Sequence, residues 1–295
     1  KKNYKLFKLS EKKTEKHSRS FGYDVNYTNI LIDDVKKLPG KILITAIDKK
    51  FYHFLPHIPD GSYIVIHDPT ELKSDVLEHL SRFNVITIRP IVKKLLQKRH
   101  GIKSKFLYHP FYEFSTDKLL SYFNKNKAIS ISRVDFDKHT DIIIDANDRL
   151  ENKSKQVDIY GALSDLYVYH KLRHTNFKKY YKGKFGKTFD DLKNLLYPCR
   201  FMIDMSAIKG DGGGSQYTFL EAIYMKCILV LNSKWTDNVD TEFKHGYNCF
   251  IVSNSDELHS LLKKGITEKE FKKITSNAYK LLNNHIKGKG WSNIY

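Results

Sequence analysis

The chain has 295 residues, 41% hydrophobic and 13% aromatic, the composition of a globular protein long enough for two packed domains of ordinary size. Fifty-one Lys and Arg against 33 Asp and Glu leave a formal charge of +18, pointing to nucleic acid, an anionic membrane surface or a phosphorylated substrate, unless a lysine-rich coding bias produces it. No apolar run is long enough to span a bilayer or form a signal-peptide core, and Cys199, Cys227 and Cys249 form no CxxC pair, so buried thiols in a soluble, cytoplasmic protein are expected (host cytoplasm if the source is viral).

Taken in order, Tyr4–Leu9 alternates as a short strand and Ser10–Tyr27 is a polar stretch that includes Arg19. Strands are expected at Lys41–Ile47 and Ser62–Ile66, within a parallel α/β layer. The second delivers His67-Asp68-Pro69-Thr70 at its carboxyl end, where open α/β sheets place functional groups. Asp68 is a good N-cap with Pro69 at the first helical position, while His67 can orient an acceptor hydroxyl or take up its proton. A strand at Asn84–Ile88 precedes a basic helix, Ile91–His100, with Lys93, Lys94, Lys98 and Arg99. After a strand at Phe106–Tyr108, Pro110 breaks regular structure in YHPFYEF, the expected crossover between a domain at 1–113 and another at 114–295. His109 is either a site residue or part of the hinge.

In the second half, AISISRVDFDKHTD places Arg133 and Lys138 at the end of an alternating strand, ahead of a helix at Thr140–Leu150. Two cations at a strand end can neutralise a diphosphate that helix N–H groups hold from the other side. Val157–Tyr160 leads as a strand to Gly161, followed by a helix at Leu163–Leu172. The run NFKKYYKGK, Asn176–Lys184, reads as a nucleic-acid surface or as an edge strand protected by lysines, and a helix follows at Thr188–Leu196. Then come a strand at Phe201–Met205, a glycine loop at Gly210–Gly214, a helix from about Ser215 with Glu221 well inside it, and a buried strand at Cys227–Leu231. That loop is either an anion site or a tight turn of any doubly wound sheet. A strand at Cys249–Val252 and helices at Ser255–Lys264 and Glu268–Asn284 close the chain.

The order "strand–SR–x4–K–helix", then Tyr160-Gly161, then DMS…GGG…FLEA at Asp204–Ala222, resembles the nucleotide-sugar domain of retaining glycosyltransferases with the GT-B fold, the family 4 type. The likeness covers roughly Ala128 to Leu262. It implies two Rossmann-like domains facing a central cleft, the last helix able to cross back. It also implies a nucleoside diphosphate sugar, UDP-linked, as co-substrate with no further cofactor. Arg133 and Lys138 then bind the diphosphate, Glu221 contacts the nucleoside, and Gly161, Gly212, Gly213, Gly214 and Ser215 complete the donor site. The acid that usually stands eight positions before this glutamate is here Gly213, and its task would pass to backbone amides or to Asp211. Tyr181 and Gly183 border the base, and Ser18–Gly22 is a candidate loop for donor or acceptor. Asp135-Phe136-Asp137 is spelled like a metal motif of the other glycosyltransferase fold, so no metal is read here.

The pattern His67-Asp68-x-Thr70-x-Leu72 resembles the corresponding strand end of the alpha-glucosyltransferases that T-even phages use on hydroxymethylated cytosine in DNA. It implies that His67 and Asp68 are catalytic or acceptor-facing, and Arg19, Lys94 and Arg99 are the candidates for binding a DNA acceptor. A glycan or lipid-linked acceptor at a membrane, met by the basic segment Ile91–Lys105, is the alternative, and a non-catalytic polyanion-binding module on this scaffold is a third reading.

Overall fold

The computed structural model describes residues 5–10, 18–20, 23–46, 49–114, 120–186, 188, 189–208, 212–237, 239–286, 288 and 290–294, with 18–20, 23–26 and 49–50 described for the backbone alone. The chain divides into two units, Lys1–Leu107 with Lys187–Phe189 and Gly290–Tyr295, and Tyr108–Gly186 with Asp190–Lys289.

In the first unit β1 (Phe7–Leu9) pairs in parallel with β3 (Tyr23–Ile30), which takes β2 (Ser18–Ser20) antiparallel on its other side. The reading of Ser18–Gly22 as a loop is therefore corrected for Ser18–Ser20, where ladder hydrogen bonds satisfy a backbone whose side chains give no strand signal. A separate sheet, order β4-β5-β6-β7, is parallel throughout: β4 (Leu43–Ile44), β5 (Tyr63–Ile66), β6 (Asn84–Thr87) and β7 (Lys105–Phe106). As an edge strand, β4 is shorter than the run Lys41–Ile47 suggests. The helices are α1 (Ile32–Val35), α2 (Ser74–Leu77) and α3 (Pro90–His100). Pro90 starts α3 and Gly101, at φ 65°, ends it in the left-handed conformation that glycine tolerates best. Alternation along the strands splits the core: Ile64, Ile66 and Val85 pack with Val76, Leu80, Val92 and Leu96, whereas Val65 and Ile86 face Leu107 and Ile294.

The second unit holds one sheet of six parallel strands in the order β10-β9-β8-β11-β12-β13. These are β8 (Lys127–Ile131), β9 (Val157–Tyr160), β10 (Tyr181–Gly183), β11 (Cys199–Asp204), β12 (Ile228–Asn232) and β13 (Phe250–Val252). Between and after them run α4 (Thr140–Asp148), α5 (Asp165–Tyr167), α6 (Phe177–Tyr180), α7 (Phe189–Leu196), α8 (Tyr217–Tyr224), α9 (Ser233–Thr236), α10 (Ser255–Lys264) and α11 (Glu268–His285). Every residue of β12 is buried, as expected where helices cover both faces of a parallel sheet. Each fully buried Leu, Ile or Val there contributes about 1.5–3 kcal/mol relative to exposure.

Polar groups join these layers. Asn147 on α4 donates to Val157 O (3.0 Å) and accepts from Val157 N (2.8 Å), fixing the helix against β9. The Lys125 ammonium, fully buried, donates to the carbonyls of Leu196, Tyr197 and Cys199 at 3.0–3.1 Å and so caps the C-terminus of α7. Cys199, Cys227 and Cys249 are buried and unpaired, and burial pushes all three thiols up. The segment NFKKYYKGK supplies α6 and then β10, an edge strand whose Lys182 lies 3.5 Å from Asp158. No helix among the described residues is long and apolar enough to cross a membrane.

Candidate active site

Parallel strands direct their carboxyl ends to one edge, and in the second unit that edge gathers the turns after β8, β9, β11 and β12. After β8, Asp135 caps a tight turn by accepting from Phe136 N (2.8 Å), and His139, at φ 43°, turns the chain into α4. Arg133 projects outward, its guanidinium donating to Asp135 Oδ2 (3.0 Å) and Asp137 Oδ2 (3.2 Å). The two acids of the DFD triplet are thus arms that orient Arg133; among the described residues no group of three His, Cys, Asp or Glu could hold a metal ion. Lys138 turns the other way. It is buried, donates to Ser206 Oγ (2.7 Å) beyond β11, and lies 4.0 Å from Asp137 Oδ2. An ammonium carries three donors, so this geometry leaves capacity for an anionic oxygen. Ala207 N donates to Asp137 O (3.0 Å), stitching the two strand ends together.

Gly161, after β9, is required by close approach: a Cβ there would lie 1.7 Å from Ser132 O. Its N–H donates to Gly183 O (3.0 Å) and its carbonyl accepts from Tyr181 Oη (2.8 Å), which brings the Tyr181–Gly183 edge strand to the same rim.

The glycine loop beyond β11 is described from Gly212 onward; Asp211 lies outside the described residues. Gly213 is left-handed at φ 70°, and a Cβ would sit 2.8 Å from Val239 Cγ2 and 3.0 Å from Asp240 O. A side chain there would be strained on this backbone and crowded by Val239 and Asp240. The Gly213 N–H donates to Trp235 O (2.6 Å), its carbonyl accepts from Thr241 Oγ1 (2.8 Å), and the Trp235 indole donates to Gly214 O (3.2 Å). Trp235, fully buried on α9, is therefore the residue that shapes the loop, and nothing in its local sequence signals this. Ser215 is held from the opposite side. Its carbonyl accepts from His109 Nδ1 (3.3 Å), and its hydroxyl lies 3.5 Å from Nε2 of buried His285, whose Nδ1 donates to His109 O (2.6 Å).

α8 begins at Tyr217, two residues later than expected, and its N-cap Gln216 makes no side-chain cap. Phe219 N and Leu220 N donate to Gln216 O, and no side chain caps the first turn, a condition under which a helix start attracts an anion. Glu221, one turn on, has no hydrogen-bond or ion-pair partner among the described residues, and burial pushes its carboxyl up to about 7.

In the first unit, His67 and Asp68 stand at the carboxyl end of β5. Asp68 Oδ1 accepts from Thr70 N (2.8 Å) and from the Thr70 hydroxyl, the expected cap. Glu71, missed in the sequence although it stands four residues on, accepts from His67 N (2.7 Å) and contacts His67 Nδ1 (3.1 Å). A carboxylate on Nδ1 sets the tautomer that leaves Nε2 free to act as a base. Lys94 and Arg99 lie on the exposed side of α3; Arg19 is on β2, its side chain outside the described set. A groove of about 720 Å³ opens at the amino ends of β5 to β7, among Tyr63, Asn84, Ser104 and Lys105, the opposite sheet edge from His67.

No family model and no curated protein matches the chain. Solved structures do. HepE of Anabaena, in complex with UDP and glucose, aligns with a TM-score of 0.60 at 18% identity over 82% of this chain and 73% of its own. TarM of S. aureus, in complex with Fondaparinux, alpha-GlcNAc-glycerol and UDP, gives 0.65 at 16% over 89% and 57%. The pneumococcal O-GlcNAc transferase GtfA, in complex with UDP and GlcNAc, gives 0.59 at 13% over 86% and 56%. The chain thus spans little more than half of TarM and of GtfA. Identities this low speak of architecture alone, and the architecture is GT-B, the glycosyltransferase fold expected from the sequence.

Proposed function

We propose that this protein is a retaining glycosyltransferase that moves a sugar from a UDP-linked donor to a hydroxyl acceptor, the second unit binding the donor and the first the acceptor. The observation that carries the reading is buried Lys138, bonded to Ser206 at a strand edge it shares with Arg133, the glycine loop and an uncapped helix start. As the sugar leaves, negative charge grows on the diphosphate. Arg133 swings from its two aspartates to one oxygen, Lys138 donates to another, and first-turn N–H groups of α8 take a third. Lys138 and the N–H groups, held in place beforehand, and Arg133, released from its aspartates, stabilise the departing anion without a metal ion. Glu221, ionised, accepts from ribose hydroxyls. His67, oriented by Glu71, receives the acceptor hydroxyl through Nε2, and retention of the anomeric configuration follows from the family resemblance.

For the acceptor, the charge of +18 and the His67-Asp68 pair favour DNA carrying a hydroxymethylated base. The TarM complex with Fondaparinux and alpha-GlcNAc-glycerol favours a second reading, a glycan or lipid-linked acceptor. The test is UDP release from a panel of UDP-sugars, alone and with hydroxymethylated DNA or glycans, followed by the anomeric configuration of the product. Release that depends on Lys138 supports the reading. A chain that binds polyanions yet releases UDP from no sugar is the non-catalytic module instead.

A further inference from the structure

The second unit carries another surface, built on the segment between β9 and β10. Leu166 is 66% exposed and Tyr169 58%, three residues apart on a helix that continues from α5 through a wider turn, Val168–Leu172. The inward side of that helix, Tyr167 and Leu172, is in the core, so Leu166 and Tyr169 form its outward face. Leu163 and Phe136 extend the patch: Leu163 bridges to Val134, two residues before Phe136, and the Phe136 ring meets Tyr167 at 5.1 Å. Both are also exposed.

C-terminal to Leu166 the charge has one sign, whereas exposed Asp165 precedes it and Asp135 and Asp137, on either side of Phe136, are paired with Arg133. From Leu166 to Phe189 the sequence holds seven Lys or Arg and no Asp or Glu. Lys171 and Lys178 are exposed and have no acidic partner among the described residues, and the Arg173 guanidinium lies over the Tyr169 ring at 4.6 Å. His170 and His174 are exposed beside them. Protruding leucines present no flat face for a base to stack on, and nucleic-acid interfaces are polar. Exposed leucine and tyrosine on a helix followed by a run of lysine and arginine match instead the headgroup boundary of a bilayer with anionic lipid.

We propose that this face docks on an anionic lipid surface: Leu166 and Tyr169 enter the headgroup layer, Leu163 and Phe136 follow at its edge, and Lys171, Arg173 and Lys178 meet lipid phosphates and carboxylates. Leu166, Tyr169, Lys171, Arg173 and Lys178 stand outside the donor and acceptor sets, so the inference does not rest on sugar transfer, although Phe136 at its edge lies in the turn that carries Arg133 and Lys138. The experiment sediments the full chain with phosphatidylcholine vesicles, with and without phosphatidylserine, and runs duplex and single-stranded DNA retention in parallel. Binding is expected only with phosphatidylserine, falling steeply with salt. L166E/Y169E is expected to lower partitioning at least about tenfold, and K171E/K178E by a similar factor, since each cation near such a surface is worth about fivefold. UDP binding without vesicles stays unchanged in both. The emission of a Y169W variant is expected to shift to the blue on phosphatidylserine vesicles. The proposal is overturned if vesicles are not bound, if L166E/Y169E binds like the parent, if Y169W emission does not move, or if these substitutions weaken DNA retention alone.

Discussion

The two units hold their chemistry-bearing side chains in opposite ways. In the second, partners come from far along the chain: Lys138 meets Ser206, Gly213 meets Trp235 and Thr241, and Ser215 meets His109 and His285. In the first, His67 finds Glu71 and Asp68 finds Thr70 within a single turn. A set assembled from several strand ends cannot relax when one member changes, which suits charges that must be in place before a diphosphate arrives. A local turn can be reshaped without disturbing the sheet beneath it, which would suit the acceptor side in the function proposed above.

The largest expected effect follows from the distant set. K138M keeps the volume of Lys138 and removes its charge, and the fold should hold because Asp137 keeps Arg133 as a partner. Turnover should fall about 10²–10³-fold, with UDP affinity reduced as well. R133A should cost less, since Arg133 spends part of its charge on Asp135 and Asp137. Steady-state kinetics beside thermal unfolding check both, and a K138M enzyme with undiminished turnover would remove the donor-side assignment.

Next in size is G213D, which puts an acid at the position where the sequence resemblance leads one to expect it. With φ at 70° and Val239 and Asp240 against the missing Cβ, the loop should strain, at about 2–3 kcal/mol of stability, and activity should drop rather than rise. Chemical denaturation of parent and variant measures it.

How much of this was readable beforehand follows the same division. The arrangement of strands in the second unit was legible, since a parallel sheet covered on both faces writes near-continuous apolar runs such as ILVL at Ile228–Leu231. Arg133 and Lys138 were legible as cations at a strand end. Their different fates were not: only tertiary packing decides that one is clamped by aspartates in the open and the other buried on Ser206. Trp235 and His285 were invisible for the same reason, because a residue that shapes a loop from another strand leaves no local pattern. Asp68 was read correctly as a cap, since capping is chemistry within one turn, yet Glu71 was passed over although it acts in that same turn. In the first sheet, β4 was overestimated because pairing at an edge stops before the apolar run does.

Glu221 offers a pH-dependent test of the same contrast. Its carboxyl, raised to about 7 by burial from an ordinary value near 4.5, keeps its proton in the folded state where the unfolded chain has lost it. Stability is therefore fully present below about pH 4.5 and declines as pH rises through 7. E221Q should accordingly be more stable than the parent at pH 8, by up to about 3 kcal/mol, and nearly equal to it near pH 4. UDP affinity should move the other way. If ribose hydroxyls need the ionised carboxylate, parent affinity rises through pH 7 while that of E221Q stays flat and weaker. Calorimetric titration across that range, alongside melting curves, gives both signs from one variant.

The smallest effect is expected from the local turn. E71Q retains an oxygen for His67 Nδ1 but removes the negative charge that stabilises an imidazolium as His67 takes up the acceptor proton. Turnover should fall about tenfold, with KM for the donor sugar unchanged, since Glu71 belongs to the other unit. H67A should reach the same loss or slightly more, and H67A/E71Q should be no worse than H67A, because Glu71 acts through the imidazole alone. Additive losses in the double variant would mean that Glu71 contacts the acceptor itself, and the locally built side would then be as interdependent as the distant one.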